Sequence, residues 1–248
     1  MNLALRSGSV ALLLAIWIAA AHLLGTRLLP TPQAVALAIV YEARTGALGF
    51  NLGITLLRVL VSFTIAMVIG SAIGLAMGRR PVVNRFADPW LIVLLNLPAL
   101  VIIVLAYIWM GLTETAAIVA VALNKVPIAI VTVREGTRAL DPALDEMATV
   151  FRMSGWVRLR HVVLPQLAPY LAAAARSGLS LVWKIVLIVE LLGRPNGVGF
   201  EIGVAFQLFD VTRILAYALT FVVVMLAIEN FLVQPLERHV SRWRLRPA

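Results

Sequence analysis

The sequence predicts an all-α membrane protein with six transmembrane helices and both termini in the cytosol. Hydrophobic residues make up 62% of the chain and charged residues only 13%, about half the charged share of a soluble globular protein. The mean hydropathy is strongly positive, at +0.98. A soluble chain of this composition would have too little polar surface to cover its core. The sequence therefore favours a polytopic membrane protein with a single domain over residues 1–248.

Long apolar runs give the six spans. In lipid, backbone polar groups must be satisfied within the segment, so such runs are expected to be helices. The first run, Ser7–Thr26, is uncharged and 20 residues long, enough to cross the hydrocarbon core. Arg6 precedes it as in a signal peptide, but no small-residue cleavage site follows, so we interpret it as a retained span. The predicted spans are about 9–25, 54–78, 89–111, 114–133, 167–192 and 214–235.

Basic residues between the spans predict the orientation. Thirteen fall on one side and four on the other, and cytoplasmic loops carry the excess of positive charge. Both termini and residues 134–165 are therefore predicted to be cytosolic. The thirteen are Arg6, Arg79, Arg80, Arg85, Arg134, Arg138, Arg152, Arg158, Arg160, Arg238, Arg242, Arg244 and Arg246, and the four are Arg27, Arg44, Arg194 and Arg213.

Two segments on the predicted outer side have distinct patterns. Residues 30–44 combine a proline helix-start signal with apolar residues at helical spacing, which predicts a short helix on the outer membrane face. Residues 193–203 are rich in Gly, Pro and Asn and predict a tight loop.

Several classes of protein are excluded by what the sequence lacks. It has no cysteine, and its three histidines are scattered, so no thiolate or imidazole cluster for a metal is predicted. It contains neither an H-E-x-x-H motif nor a G-x-x-x-x-G-K-[ST] motif, which argues against a membrane metalloprotease and against ATP binding by this chain. The net charge of +9 is explained by the basic loops, so no nucleic-acid partner is expected.

Residues 134–165, called the polar loop below, are unusual because they carry many charges between two apolar spans. Seven ionisable residues fall within Asp141–His161. Pro142 after Asp141 predicts a helix start. A break is predicted at Ser154-Gly155, followed by a second amphipathic piece over residues 156–163. Two short helices joined by a flexible corner predict a docking surface for a partner.

The polar loop resembles the signature of the permease subunits of bacterial ABC importers. That signature is Glu-Ala-Ala, a glycine after three further residues, and, after nine more, an aliphatic residue, any residue, Leu and Pro. Here Glu146-Met147-Ala148 and Val162-x-Leu164-Pro165 stand at that spacing. Other segments are similar to the nitrate/sulfonate/taurine branch of the family, namely Leu29–Val35, Thr55–Arg58, Trp183, Val189–Gly193 and Gly197–Gly199.

The resemblance implies a coupling role for the polar loop. It implies two ATPase subunits that bind ATP and Mg, a second permease subunit that is most simply an identical copy, a periplasmic or lipid-anchored solute-binding protein, and a place in the bacterial inner membrane. No cofactor is implied in this chain. The residues implied to contact an ATPase subunit are Asp145, Glu146, Met147, Ala148, Arg152, Ser154, Gly155, Leu164 and Pro165.

Arg152 departs from the signature, because it stands where the family has glycine. Glycine would allow a corner between the two short helices, whereas arginine adopts positive φ only at a cost. We therefore expect that the corner has moved to Gly155 or that the first helix continues further. The departure also leaves open a heterodimer of two different permease subunits.

The fifth span carries unusual polarity. Arg176, Trp183 and Glu190 share one helix face, and Ser177, Ser180 and Lys184 fall on the adjacent stripe. Because ionisable residues at membrane depth usually face the bundle interior or a water-filled cavity, these positions suggest a translocation path that attracts an anion. The predicted path residues are Ser177, Ser180, Trp183, Lys184 and Glu190. Alternatively, Arg176 snorkels to the cytosolic interface and Glu190 caps the outer end.

Other polar and small residues in the spans have structural interpretations. Lys125, with Asn124 and Pro127, is predicted to break the fourth span, with the lysine or the asparagine satisfying carbonyls freed by the proline; a path role is the alternative. Asn96-Pro98 is expected to act similarly in the third span.

Three glycines on the second span, Gly70, Gly74 and Gly78, predict close helix packing, either within the subunit or at a dimer seam. Glu229, near the end of the sixth span, is predicted to pair with a loop arginine.

These observations predict the membrane-spanning permease subunit of an ATP-driven importer. The alternative is a secondary transporter or channel that works without an ATPase. The absence of inverted-repeat hydropathy and the presence of a docking loop argue against that alternative. The branch resemblance implies a small anion such as a sulfonate, taurine or nitrate, although other relatives take up pyrimidine vitamin precursors.

Overall fold

The computed structural model describes residues 3–25 and 29–235, and every regular element among them is helical. The helices are α1 (Leu3–Leu24), α2 (Pro32–Arg44), α3 (Ala47–Arg79), α4 (Pro81–Asn96), α5 (Ala99–Met110), α6 (Glu114–Arg138), α7 (Pro142–Val150), α8 (Gly155–Arg158), α9 (Leu164–Gly193), α10 (Val198–Gln207) and α11 (Val211–Ile228), with π-helical segments at Leu159–Val163 and Glu229–Val233. The predicted orientation depends partly on Arg27, Arg238, Arg242, Arg244 and Arg246, which lie outside the described residues.

Within the described residues, four helical stretches are long and apolar enough to cross a membrane. They are Ala47–Arg79, Glu114–Arg138, Gly155–Gly193 and Val211–Val233. The first three contain the second, fourth and fifth predicted spans, and the last covers the predicted sixth span up to Val233. The apolar stretch of α1, Gly8–Leu23, is shorter. The six-span count and the cytosolic termini therefore stay predictions.

The break predicted at Asn96-Pro98 in the third span, about 89–111, is confirmed. The pair α4 and α5 is bent by 98° at a short break, so it forms a broken span or a re-entrant loop. The break contains Leu97, which has extended backbone at ψ 125°, as expected for a residue that precedes a proline. Asn96 donates its side-chain N–H to the carbonyl of Ile92, at 2.8 Å, and so closes the end of α4.

The predicted break of the fourth span, in contrast, is wrong, because α6 runs through Pro127 without interruption. The residues around the proline keep helical geometry, and Asn124 donates to the Ala120 carbonyl of its own helix, at 2.9 Å. Pro127 itself is buried. A proline in a span thus breaks the helix at residue 98 but not at residue 127.

The larger of two compact units contains Leu57–Val189. Gly70, Gly74 and Gly78 lie directly against α6, since a Cβ on them would come within 2.5 Å of the Ala129 Cβ, 2.7 Å of the Ile130 carbonyl oxygen and 2.5 Å of the Thr137 Cβ, respectively. This confirms close helix packing within the subunit. An apolar core joins the same helices to α5 and α9 through Val59, Ile103, Ala117, Val182 and Val186. That core fixes the position of α9.

The other unit combines the described part of Met1–Leu56 with Glu190–Leu226. The short helix predicted over residues 30–44 is confirmed as α2, whose start is capped by the Thr31 side chain, which accepts the Ala34 N–H. The tight loop predicted over residues 193–203 is wrong in its second half, because α10 begins at Val198. Side chains from α3 and α9 satisfy the first amides of α10, and this tertiary support is invisible in the local sequence.

Candidate functional site

The first helix of the polar loop begins as the sequence predicts. Asp141 caps α7 by accepting the Ala143 N–H, at 2.9 Å, and Pro142 is the first helical residue. Ala148 is fully buried and anchors the helix to the body, whereas Glu146 and Met147 are exposed. The family-signature positions on α7 therefore divide into one buried anchor and two surface residues.

The corner after α7 is formed by Arg152 itself, which has φ +50°. Three backbone hydrogen bonds close it, from Phe151 to Met147, from Arg152 to Thr149 and from Met153 to Ala148, the arrangement of a Schellman motif with arginine in the left-handed position. The expectations that the corner has moved to Gly155 or that α7 continues further are both wrong. A non-glycine residue in this conformation costs about 1–2 kcal/mol.

Ser154 and Gly155 begin the second helix. The Ser154 hydroxyl accepts the N–H of Val157, at 3.4 Å, and Gly155 is the first residue of α8. This helix continues through the π-helical segment into α9, so the expected separate second helix is instead the start of the membrane-spanning stretch Gly155–Gly193. Leu164 and Pro165 are exposed at the start of α9.

An ion-pair cluster holds α7 in place. Asp145 pairs with Arg158, whose Nε lies 2.8 Å from its Oδ1, and with Arg79 at 3.7 Å. The hydrogen bond from the Arg158 guanidinium is the main reason that the pKa of the Asp145 carboxyl is lowered, and the positive charges of Arg158 and Arg79 add to it. Asp145 thus joins α7 to α8 and to the end of α3, rather than pointing to a partner.

On α9, the predicted stripe is exposed along its length. Ser177, Ser180 and Lys184 all lie on the surface. The serine hydroxyls donate to carbonyls of their own helix, Ser177 to Ala174 at 3.3 Å and Ser180 to Ser177 at 2.9 Å. Lys184 differs, because no polar group among residues 3–25 and 29–235 contacts its ammonium group.

The three residues predicted to share the other face of α9 have different surroundings. Trp183 is half-buried and packs against the apolar core. Arg176 is exposed and pairs with Glu229, at 3.2 Å, so the prediction that Glu229 pairs with a loop arginine is wrong. Glu190 is fully buried.

Glu190 belongs to a closed polar cluster at the start of α10. Its carboxylate accepts the Thr55 hydroxyl, at 2.9 and 3.0 Å, and the Gly199 N–H, at 2.9 Å. Asn51 accepts the Gly197 N–H at 2.7 Å. Gly197 lies against the carboxylate and has φ +108°, so no side chain fits there. The Glu190 carboxylate thus holds the chain that follows α9.

Lys125 is a second lysine in a span, and it is completely buried. Its Nζ donates to the Ala174 carbonyl on α9, at 2.9 Å. Its side-chain end lies directly over Gly178, where a Cβ would overlap it. The interpretation that Lys125 satisfies carbonyls freed by Pro127 is wrong, because the lysine instead joins α6 to α9.

A charged cluster on α2, α10 and α11 was missed by sequence reasoning. Arg213 lies 3.3 Å from Glu42 and 2.8 Å from Glu201, and the Tyr217 hydroxyl donates to Glu42 at 2.9 Å. Asn51 donates to Glu201 at 3.0 Å. These residues are far apart in sequence, so no local pattern indicates that they meet. The sequence alone indicates only that Arg213 is a basic residue between two spans.

Comparison with known proteins identifies the family. Residues 62–245 match the family model described as "Binding-protein-dependent transport system inner membrane component". The chain belongs to this family. It is therefore the permease subunit of an ABC importer, and the polar loop and α9 lie within the matched region.

Relatives agree with this assignment, and a solved structure shares the fold. The "Putative aliphatic sulfonates transport permease protein SsuC" of Escherichia coli (strain K12) is 30% identical over 233 residues, which cover 93% of this chain and 88% of the relative. The protein of the same name from Bacillus subtilis (strain 168) is 28% identical over 236 residues, which cover 94% and 85%. The fold matches the structure titled "Inward facing conformations of the MetNI methionine ABC transporter: CY5 native crystal form" with a TM-score of 0.68 at 21% identity, covering 80% of this chain and 98% of that one.

Proposed function

We propose that this permease forms the translocation path for a small organic anion of the aliphatic sulfonate type. The two relatives named above carry sulfonate transport in their names, and the predicted branch includes taurine and nitrate transport as well. The solute is delivered by an external binding protein, in the bacterial inner membrane. Two ATPase subunits, which bind ATP and Mg, drive a pair of permease subunits, most simply two copies of this chain with six spans each and cytosolic termini.

The observation that carries the anion proposal is the position of Lys184. It lies 20 residues after the start and 9 before the end of α9, or about 30 Å and 14 Å along the helix at 1.5 Å per residue. The side chain is exposed there and has no acidic partner in the part of the chain that the structure describes. An ammonium group is costly in hydrocarbon and normally faces water or a counter-charge, so we assign Lys184 to a hydrated path.

Fewer residues are proposed to line the translocation path than were predicted from the sequence. Ser177 and Ser180 lie on the same exposed stripe as Lys184 and supply hydroxyl oxygens and small side chains. We keep Trp183 and Glu190 out of this set, because Trp183 packs on the core and Glu190 is buried with its carboxylate bonded. A solute anion would meet one lysine and two serines on this helix.

The polar loop supplies the coupling. Its position in front of α9 is that of the family signature, and its ion pairs through Asp145 make α7, α8 and the end of α3 move together. Because α8 and α9 form one continuous helical stretch, an ATPase subunit bound to α7 would move α9 as well. Lys184 lies on that helix.

The test is uptake by the reconstituted importer. Lys184→Met is expected to reduce ATP-driven uptake of a labelled aliphatic sulfonate by at least about tenfold, because a favourable charge in the path is lost, whereas Lys184→Arg retains most of it. Ser180→Ala tests a neutral lining position on the same stripe and should reduce uptake less than about twofold, because it removes no charge and that hydroxyl already donates to a carbonyl of its own helix. Undiminished uptake by Lys184→Met would contradict the path assignment, and uptake by the permease alone, without ATPase subunits, would favour a secondary transporter. Calorimetry on the cognate binding protein identifies the solute.

A further inference from the structure

We propose that Arg152 forms an ion pair with a carboxylate of the ATPase subunit on which the polar loop docks. This inference rests on the proposed function, since it requires the loop to contact that subunit. It adds the chemistry of the partner surface, an acidic group beside an apolar groove. Three features support it: the apolar tip around Arg152, the absence of a described partner for its guanidinium, and the backbone conformation at the corner.

The tip of the polar loop is an exposed apolar surface. Val150, Phe151 and Trp156 are 79%, 71% and 67% exposed. Single exposed apolar residues are common on proteins, but three large ones within seven residues of a polar loop mark a contact surface. Arg152 directly follows Phe151 in the chain, so whatever covers the tip also covers or borders the guanidinium.

The charges of the loop are not equivalent. Asp145 and Arg158 neutralise each other, and Arg79 lies beside them. Arg152, in contrast, is exposed and makes no ion pair or side-chain hydrogen bond to any residue that the structure describes. A guanidinium covered by a partner without a counter-charge would be strongly destabilising. The surface that accepts the tip must therefore present an acceptor to it, and a carboxylate is the planar acceptor that fits the arginine fork.

The backbone supports a function for the side chain. The corner needs a residue with φ +50°, and glycine or asparagine adopts this conformation more easily than arginine. The three backbone hydrogen bonds that close the corner do not involve the guanidinium. Arginine therefore disfavours the backbone conformation of the corner, and its guanidinium does not stabilise the corner. A residue that breaks a local rule at an exposed position is expected where its side chain acts on something else.

The test measures binding of the purified ATPase subunit to the full-length permease in lipid-free detergent, by biolayer interferometry. Arg152→Asn keeps a residue suited to the corner and removes the charge, and we expect it to weaken binding about tenfold. Arg152→Lys keeps the charge and should recover most of the affinity. Arg160→Gln is the matched control, because it removes an exposed arginine from the same loop, and its effect should stay below about twofold.

Wild-type affinity of Arg152→Asn, or an equal loss for Arg160→Gln, would overturn the ion pair. An effect of Arg152→Asn that appears only in nanodiscs containing phosphatidylglycerol would also overturn it, since the arginine would then bind lipid. Phe151→Ser separates this inference from the proposed function. If Phe151→Ser leaves binding unchanged, docking through the loop is wrong; if it abolishes binding while Arg152→Asn does not, only the ion pair is wrong. Restoration of binding to Arg152→Glu by an acid-to-arginine change in the ATPase subunit would identify the carboxylate.

Discussion

The two lysines of the chain both lie on membrane-spanning helices, yet their surroundings are opposite. Lys125 on α6 is fully buried, and its Nζ donates to the Ala174 carbonyl at 2.9 Å. Lys184 on α9 is exposed, and no described polar group bonds to it. Lys125 therefore joins two helices of the subunit, whereas Lys184 is available to a solute, to water or to a partner.

This contrast shows that a charged residue in a span is not by itself a sign of a transport path. What separates the two roles is whether the charged atoms are already used by the protein. The same division recurs in the polar loop, where Asp145 is held by Arg158 and Arg79 while its neighbour Glu146 is exposed. In both regions the residue with described partners builds the structure, and the residue without them is the one that we propose for function.

The largest expected effect comes from the same substitution at both lysines. Lys125→Glu places a carboxylate against the Ala174 carbonyl in a closed site, and we expect it to destabilise the protein by about 3–5 kcal/mol, as for other uncompensated buried charges. Lys184→Glu makes the same change of net charge at an exposed position, so we expect a change in stability within about 0.5 kcal/mol.

The readouts are thermal unfolding in detergent and reconstituted uptake. Lys125→Glu should lower the melting temperature. Lys184→Glu should leave the melting temperature unchanged and reduce only the uptake, because a negative charge in the proposed path repels the anion. Equal melting temperatures for the two variants would contradict the contrast between the two sites.

The sequence predicts the helices of the fold only in part. Apolar runs and helix-start signals are local, so the stretches α3, α6, α9 and α11, the short helix α2 and the start of α7 could all be predicted. The break at Asn96-Pro98 could also be predicted, but the 98° bend between α4 and α5 could not. A proline permits a break without deciding what packing will do there, and at Pro127 the helix stays continuous.

The candidate site shows the same limit. The spacing of the family signature located the polar loop, and helical periodicity located the stripe of Ser177, Ser180 and Lys184. The burial of Glu190 could not be predicted, because its partners Thr55 and Gly199 come from elements distant in sequence or unrecognised. The corner at Arg152 was missed because backbone hydrogen bonds outweighed the conformational preference of the residue.

A smaller effect tests the closed site around Lys125 from the opposite helix. Gly178→Ala places a Cβ where the Lys125 side-chain end lies, so the lysine must move and lose its bond to Ala174. We expect a destabilisation of about 1–3 kcal/mol. Gly53→Ala is the matched control, because that helical glycine has nothing within 4 Å of its would-be Cβ, and it should be neutral or stabilising by up to about 1 kcal/mol.

A double variant shows whether the lysine is the cause. If the cost of Gly178→Ala comes from Lys125, the loss in Lys125→Ala/Gly178→Ala should be smaller than the sum of the two single losses, since contacting residues are not additive. Additive losses in unfolding free energy would show that the two helices are not joined through this contact.

The smallest expected effect concerns Asp145 and Glu146. Asp145→Asn should speed amide exchange in α7 only about twofold, because the pair with Arg158 is exposed and solvent screens it. Glu146→Gln should leave exchange unchanged.

The pH dependence gives a second test of the same pair. The pKa of Asp145 is lowered in the folded protein, chiefly by the Arg158 hydrogen bond. The contribution of Asp145 to the stability of α7 is therefore complete above the unfolded pKa, about 3.9, and is lost as the pH falls below it. Protection of α7, corrected for intrinsic exchange rates, should therefore be constant from pH 8 to pH 5 and fall only in stronger acid. A decline between pH 7 and pH 5 that Asp145→Asn abolishes would mean that the carboxylate is not held by Arg158 and that the two neighbouring acids are alike.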